Sequence, residues 1–215
     1  MPDVALASLF IRGGSAIPYA HSRNAAGDRH DLGDHLRAVA DLAAGFAAPF
    51  GGEEVAHLAG LLHDIGKAHP DWQTYLMASE KEPDRKHKTV DHKGAGAVAS
   101  RSLSPWVAGH VQGHHGGLSD LREARAWLEE RSADPHSAEG IAAASAAGLM
   151  NALPNAPDVA QFAGDQRGFE LFLRLCFSAL VDADRLDTEA HFESAKAAIR
   201  GGQVPAALSA RLREH

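Results

Sequence analysis

Cysteine is nearly absent from this 215-residue chain: Cys176 stands alone. That excludes an internal disulfide framework and suits a reducing compartment. No run approaches the ~18 consecutive apolar residues of a membrane span. The apolar stretch "VALASLFI" (4–11) is short, with Asp3 before it and Arg12 after it, the reverse of a secretory leader's charge order. The chain is therefore expected in the cytoplasm, with no membrane partner. Positive charge is in deficit, 21 Lys and Arg against 28 Asp and Glu, for a net charge of −7. Such a balance argues against nucleic-acid binding by broad electrostatics. It leaves room for a local site whose positive charge is carried by metal ions. No Walker A loop or other helicase signature is present. Internal repeats and convincing strand alternation are also missing.

What the chain has in excess is histidine, 14 residues, set in an almost wholly helical pattern. In "LGDHLRAVADLAAGFAAPF" (32–50), Leu32, Leu36, Val39, Ala43 and Phe46 recur at spacings of four and three, one helical stripe. Pro49 and Gly51–Gly52 close it. Glu53 and Glu54 fall in the next helix's first turn, where carboxylates suit the dipole. Val55, Leu58, Ala59 and Leu62 form its stripe. "HPDWQTYLMA" (69–78) predicts a third helix with Trp72, Tyr75 and Leu76 inward. The basic "KEPDRKHKTV" (81–90) reads as a mobile loop. "DHKGAGAVASRSL" (91–103), "PWVAGHVQG" (105–113), "DLREARAWLEER" (120–131) and "AEGIAAASAAGLMNAL" (138–153) predict helices, and "PNAPDVAQFAGDQRG" (154–168) a loop. "FELFLRLCFSALVDADRL" (169–186) is apolar nearly all round, which predicts a central helix. One all-α domain follows.

The first two helices are joined by about four residues, which makes them antiparallel neighbours. Folding the chain back near position 50 brings His35 to within roughly one turn of His63 and Asp64; it does not place His21. Imidazole together with carboxylate suits a transition metal better than calcium or magnesium. His92 lies in "VDHKGAG", and His114 and His115 lie in "VQGHHGG". Adjacent residues on a continuous helix diverge by about 100°, but Gly113, Gly116 and Gly117 allow the pair to converge at a helix end. "SALVDADRLD" offers three aspartates, Asp182, Asp184 and Asp187. Glu170, Arg174, Ser178 and Arg185 mark the polar side of that helix, and Asp182 lies nearer to it than Asp184. Lys67 follows the His63–Asp64 pair by one turn and a glycine, a place for a phosphate contact. His30, His57, His69, His87, His136, His191 and His215 read as surface or hydrogen-bonded residues, and His110 as filling or support behind His114.

"LLHDIGK" (61–67), with the upstream "HL..VA" helix and the late "AD", resembles the HD superfamily of metal-dependent phosphohydrolases. "YAHS", "DHK.AGA" and "GHHGGL" are similar to one branch, the HD nuclease domain of the CRISPR-associated nuclease–helicase of type I systems. The likeness runs from about Tyr19 to about Glu189. It implies two divalent transition-metal ions, Mn, Fe, Co or Ni. His35, His63, Asp64 and Asp184 would hold one ion, and Asp64, His92, His114 and His115 the other. Asp64 and Lys67 would be catalytic, with Asp64 bridging the ions. His21 and Ser22 would touch substrate, and the basic loop with Lys86, Lys88 and Lys93 would meet a DNA strand. The implied activity is hydrolysis of single-stranded DNA, as endonuclease or exonuclease, in antiviral defence. A helicase domain or subunit and a crRNA-guided surveillance complex are the implied partners. Two positions depart from the pattern: Lys93, where relatives often carry serine, and Arg185, where many carry tryptophan. Without a helicase signature, the chain is expected to be a stand-alone HD subunit or the nuclease domain of a longer nuclease–helicase. Two rivals remain: a phosphohydrolase of mononucleotides or cyclic nucleotides, which would not require "GHHGG", and a non-catalytic scaffold stabilised by metal.

Overall fold

The computed structural model of the chain describes residues 17–160 and 164–202. The stretch 4–11 and His215 lie outside the described residues, as do residues 161–163 of the proline-containing loop. Nine α-helices are found among the described residues. A ribbon of β1 (Tyr19–His21) and β2 (His30–Asp31) leads into α1 (Leu32–Ala47) and α2 (Glu53–Leu62). Then come α3 (Pro70–Lys81), α4 (Lys93–Arg101), α5 (Pro105–Gly113), α6 (Leu121–Ala133) and α7 (Pro135–Ala146). The long α8 (Gln166–Phe192) and the short α9 (Ser194–Gly202) close the described part. Among the described residues, no helix is long and apolar enough to cross a membrane. The fold is the expected all-α domain; the antiparallel ribbon is its one small sheet among the described residues, and three and two residues are too few to show an alternating pattern. Helix α9 was not foreseen.

Local chemistry sets most boundaries. Asp31 caps α1 by accepting from the Asp34 N–H at 2.9 Å. Ser104, Asp120 and Asp134 cap α5, α6 and α7 in the same way, with Pro105 and Pro135 in the first turns of α5 and α7. Asp134 moves the start of α7 ahead of the predicted residue 138, and Gly148, at φ 77°, follows its end. Helix α1 passes through a 3-10 turn at Ala48–Phe50 and stops at Gly51, whose φ is 71°.

Helices α1 and α2 pack through small residues. Ala40, Ala43 and Ala47 are fully buried, as are Ala56, Leu58, Ala59 and Leu62. A Cβ on Gly60 would stand 2.5 Å from the Cα of Ala40, so only glycine permits this approach. Each fully buried leucine at the contact contributes about 1.5–3 kcal/mol. Phe46, predicted in the stripe, is instead 41% exposed. The alanines take the line of closest approach, and the phenyl ring falls at the rim.

Two further expectations need correction. On α3, Leu76 is buried as predicted, but Trp72 and Tyr75 are only half-buried. Gln73 takes the inward place: its amide donates to the Tyr19 and Lys67 carbonyls at 2.9 and 2.7 Å, and its Oε1 accepts from the Tyr19 N–H. Helix α8 is not enclosed. Phe172, Cys176, Ala179, Leu180 and Ala183 are buried, but Leu171 is 59% exposed and Leu175 is also exposed. Its apolar composition therefore marks no all-round burial; one face alone packs, chiefly on α1.

Candidate metal centre

Five separate segments bring their side chains to one buried point. Helix α1 supplies His35. The end of α2 supplies His63 and Asp64, just before a 3-10 turn at Ile65–Ala68. The residue before α4 is His92, the end of α5 carries His114 and His115, and α8 supplies Asp184. His35, His63 and Asp64 have no exposed surface, His114 is buried and Asp184 is nearly so.

The two oxygens of Asp64 face two ligand groups. Its Oδ2 lies 3.5 Å from His35 Nε2 and 3.4 Å from His63 Nε2. Both of those nitrogens stand 3.6 Å from Asp184 Oδ1. Its Oδ1 lies 3.4 Å from both His92 Nε2 and His114 Nε2. His115 Nε2 approaches His92 Nε2 to 3.0 Å, completing the second group. Donors bound to a common ion at about 2.0–2.2 Å stand roughly 3–3.5 Å apart. The spacings therefore fit two ions sharing one carboxylate.

Hydrogen bonding supports the same fit. His63 Nδ1–H donates to the Gly60 carbonyl at 2.8 Å, and His114 Nδ1–H to the Val111 carbonyl at 2.7 Å. Each bond leaves Nε2 with its lone pair turned inward. The Nε2 atoms of His35, His63 and His114 and the Oδ1 of Asp64 are buried without a hydrogen bond. Orphaned polar atoms on this scale are costly, and two divalent cations, one in each group, would satisfy them.

Electrostatics prepares the ligands. Burial opposes charge on Asp64, but Lys67 and His63 hold its carboxyl well below the usual carboxylate range. Burial likewise opposes charge on Asp184, but His63 holds its carboxyl below the usual carboxylate range. Burial pushes His92 and His115 down to about 4, so both are neutral imidazoles at pH 7, the form that binds metal. Lys67 is itself buried, its Nζ an ion-pair contact 2.6 Å from Asp64 Oδ2.

Asp182, the aspartate nearer the polar side of α8, is exposed and lines a groove with Phe46 and Arg185. Two helical steps turn the side chain by about 200°, so only one of the pair can face the centre, and that one is Asp184. One turn on from Asp184, Asp187 plays a part the sequence reading did not give it. Its Oδ2 sits 2.6 Å from His35 Nδ1, which donates to it and so turns Nε2 inward. The i, i+3 spacing of the two aspartates was the available signal. Asp187→Ala is expected to weaken divalent-ion binding at the first group by roughly 10–100-fold. Chelator competition with elemental analysis measures this; unchanged affinity at the first group would show that Asp187 only packs.

His21 and Ser22 lie on and after β1, beside the first group. The His21 ring meets the His35 ring edge-on at 4.8 Å, and its Nδ1 lies 3.1 Å from His30 Nδ1. The Ser22 carbonyl accepts from His191 Nε2 at 2.9 Å. Lys86 and Lys88 are exposed on the loop before His92, whereas Lys93 Nζ lies 5.9 Å over the Trp127 ring. The remaining described histidines have ordinary partners: His57 with Asp41, His69 with Glu139, His87 with the Glu82 carbonyl and His136 with the Asp91 carbonyl. His110 is buried between α5 and α8, bonded to the Leu173 backbone, and burial pushes it down to about 4.

The HD domain family model matches residues 32–146, more than half of the chain. No curated protein matches it. The match spans α1 to α7 and so contains six of the seven residues of the two groups; Asp184 lies beyond it on α8. The chain belongs to the HD domain family, the metal-dependent phosphohydrolases.

Proposed function

We propose that this protein is a metal-dependent nuclease that hydrolyses phosphodiester bonds of single-stranded DNA in type I CRISPR interference. In this reading a helicase domain or subunit delivers the strand, and a crRNA-guided surveillance complex directs it. The observation that carries the proposal is the second ligand group. It shares Asp64 with the first group and is completed at the exposed His115. A centre that opens at the surface accepts a polymer passing over it, whereas a free nucleotide is better held in an enclosed pocket.

Divalent ions, when bound, supply Lewis acidity toward a phosphate oxygen and acidify water. The chain's own residues do the rest. Asp64 fixes the distance between the two groups. Asp187 and the Gly60 and Val111 carbonyls hold the tautomers of His35, His63 and His114. Lys67 now balances the Asp64 charge; swung from Oδ2, its ammonium would meet the charge developing on a non-bridging phosphate oxygen. Mixed imidazole and carboxylate donors favour Mn, Fe, Co or Ni over Mg.

The decisive test offers the Mn²⁺- or Ni²⁺-loaded protein circular single-stranded DNA, the same sequence as duplex, and a panel of mononucleotides and cyclic nucleotides, all without ATP. The single strand is expected to be cut, with Mg²⁺ a poor substitute. An acidic chain attracts duplex weakly, and a duplex must open to present one phosphate, so it should stay largely intact. Charge reversal at Lys86 and Lys88 should weaken DNA binding and flatten its salt dependence without removing metal. Turnover of nucleotides but not of DNA would replace the nuclease with a nucleotide phosphohydrolase; equal cutting of blunt duplex would remove the helicase from the reading.

A further inference from the structure

Beside the second ligand group lies a row of rings that metal binding does not explain. Trp72 on α3 packs against His92 with ring centroids 4.6 Å apart, and Lys67 Nζ lies 5.4 Å over its face. Tyr75, on the same side of α3, is 5.2 Å from Trp72, and His87 is 6.4 Å from Tyr75. All three rings are half-buried. Trp72 Nε1–H is buried without a hydrogen-bond partner. Lys86 and Lys88 flank His87, are exposed, and form no ion pair among the described residues. Anchoring the loop would account for the contact of His87 with Tyr75. It does not account for a tryptophan kept at the surface between a metal-ligating histidine and a buried ammonium, with its donor unused.

We propose that Trp72 and Tyr75 form a stacking platform for the bases of a single strand, with Lys86 and Lys88 on its phosphates. The proposal rests on the nuclease reading and adds how the strand is held. Every base presents a π-face, so a row of aromatic rings grips single strands with little regard to sequence. A paired and stacked duplex offers no such face to the row. The platform ends at His92, which places a strand lying on it at the mouth of the second ligand group. It also supplies local affinity that the net charge of −7 denies the surface as a whole.

Binding to the metal-loaded protein decides the matter, read by fluorescence anisotropy with two cleavage-resistant phosphorothioate probes. One is a thymidine oligomer; the other has the same backbone with abasic sugars. The wild type should bind the thymidine strand between about fivefold and a hundredfold more tightly. Trp72→Leu and Tyr75→Leu should each shrink that ratio, and the double variant should bring it close to one. Circular dichroism and elemental analysis would show that fold and metal are retained. Equal binding of the two probes by the wild type overturns the platform, and because it uses no variant it is immune to misfolding. A full thymidine preference in folded, metal-loaded Trp72→Leu also overturns it. Cleavage of the ordinary thymidine strand is followed in parallel. A wild type that prefers the base-bearing probe yet cuts no DNA with any ion sinks the nuclease reading and leaves the platform standing.

Discussion

Asp64→Ala is expected to abolish hydrolysis and to remove metal from both ligand groups. No other residue belongs to both groups. Its Oδ2 faces His35 and His63, and its Oδ1 faces His92 and His114. Elemental analysis should therefore show a loss exceeding one ion per chain, and activity should fall by more than about a thousandfold, the scale of losing a preorganised charge-stabilising group. The substitution also leaves the Lys67 ammonium without its carboxylate, and an unpaired buried charge costs about 3–5 kcal/mol. Asp64→Asn also leaves Lys67 without a counter-charge but keeps the side chain's volume, so a loss of stability confined to Asp64→Ala is a packing effect. The helices should persist in both variants, since the stripes of α1 and α2 bury themselves without this carboxylate. Two retained ions and near wild-type cleavage would overturn the bridging role.

Gly66→Ala is expected to cripple the second ligand group selectively. A methyl at Gly66 would overlap the carbonyl oxygen of His92 and crowd its carbonyl carbon and Cα. Backbone cannot rotate away as a flexible side chain does, so either the 3-10 turn or the segment before α4 must shift. Overpacking of this kind costs about 1–3 kcal/mol. The functional loss should be larger than that destabilisation suggests, because the displaced residue is a ligand whose Nε2 is 3.4 Å from Asp64 Oδ1. Helicity should be nearly unchanged, metal content should drop toward one ion, and cleavage should fall at least about tenfold. Two tightly held ions in Gly66→Ala would mean that the close approach packs the chain without setting the centre.

Some of the centre was legible before any coordinates. A stripe at spacings of four and three, followed by Pro49 and Gly51–Gly52, is enough to fold α1 back on α2, and that reversal alone brings His35 to His63 and Asp64. The choice between Asp182 and Asp184 was not legible from pattern. Helix α8 carries leucines on its exposed face, Leu171 and Leu175 among them, so apolarity there does not report burial. The inward swap of Gln73 for Trp72 and Tyr75 was hidden for a related reason. Its amide satisfies three backbone groups, Tyr19 N–H and the Tyr19 and Lys67 carbonyls. Hydrophobic periodicity cannot see a polar residue buried for its hydrogen bonds.

The two ligand groups close at very different points along the chain. Asp64, His92, His114 and His115 come from three neighbouring stretches, whereas the other group must wait for Asp184 in α8. A ribosome emits about 5–20 residues each second. The histidine-rich group thus emerges seconds before its companion can exist, and an ion met during synthesis is captured there first. The position lined by His35, His63 and Asp184 is expected to fill only after α8 has emerged, when geometry rather than raw affinity chooses the ion. Translating the chain in vitro with one metal and supplying another afterwards would reveal the order. Each molecule would then carry a record of two moments, the ion available at birth and the ion available at maturity.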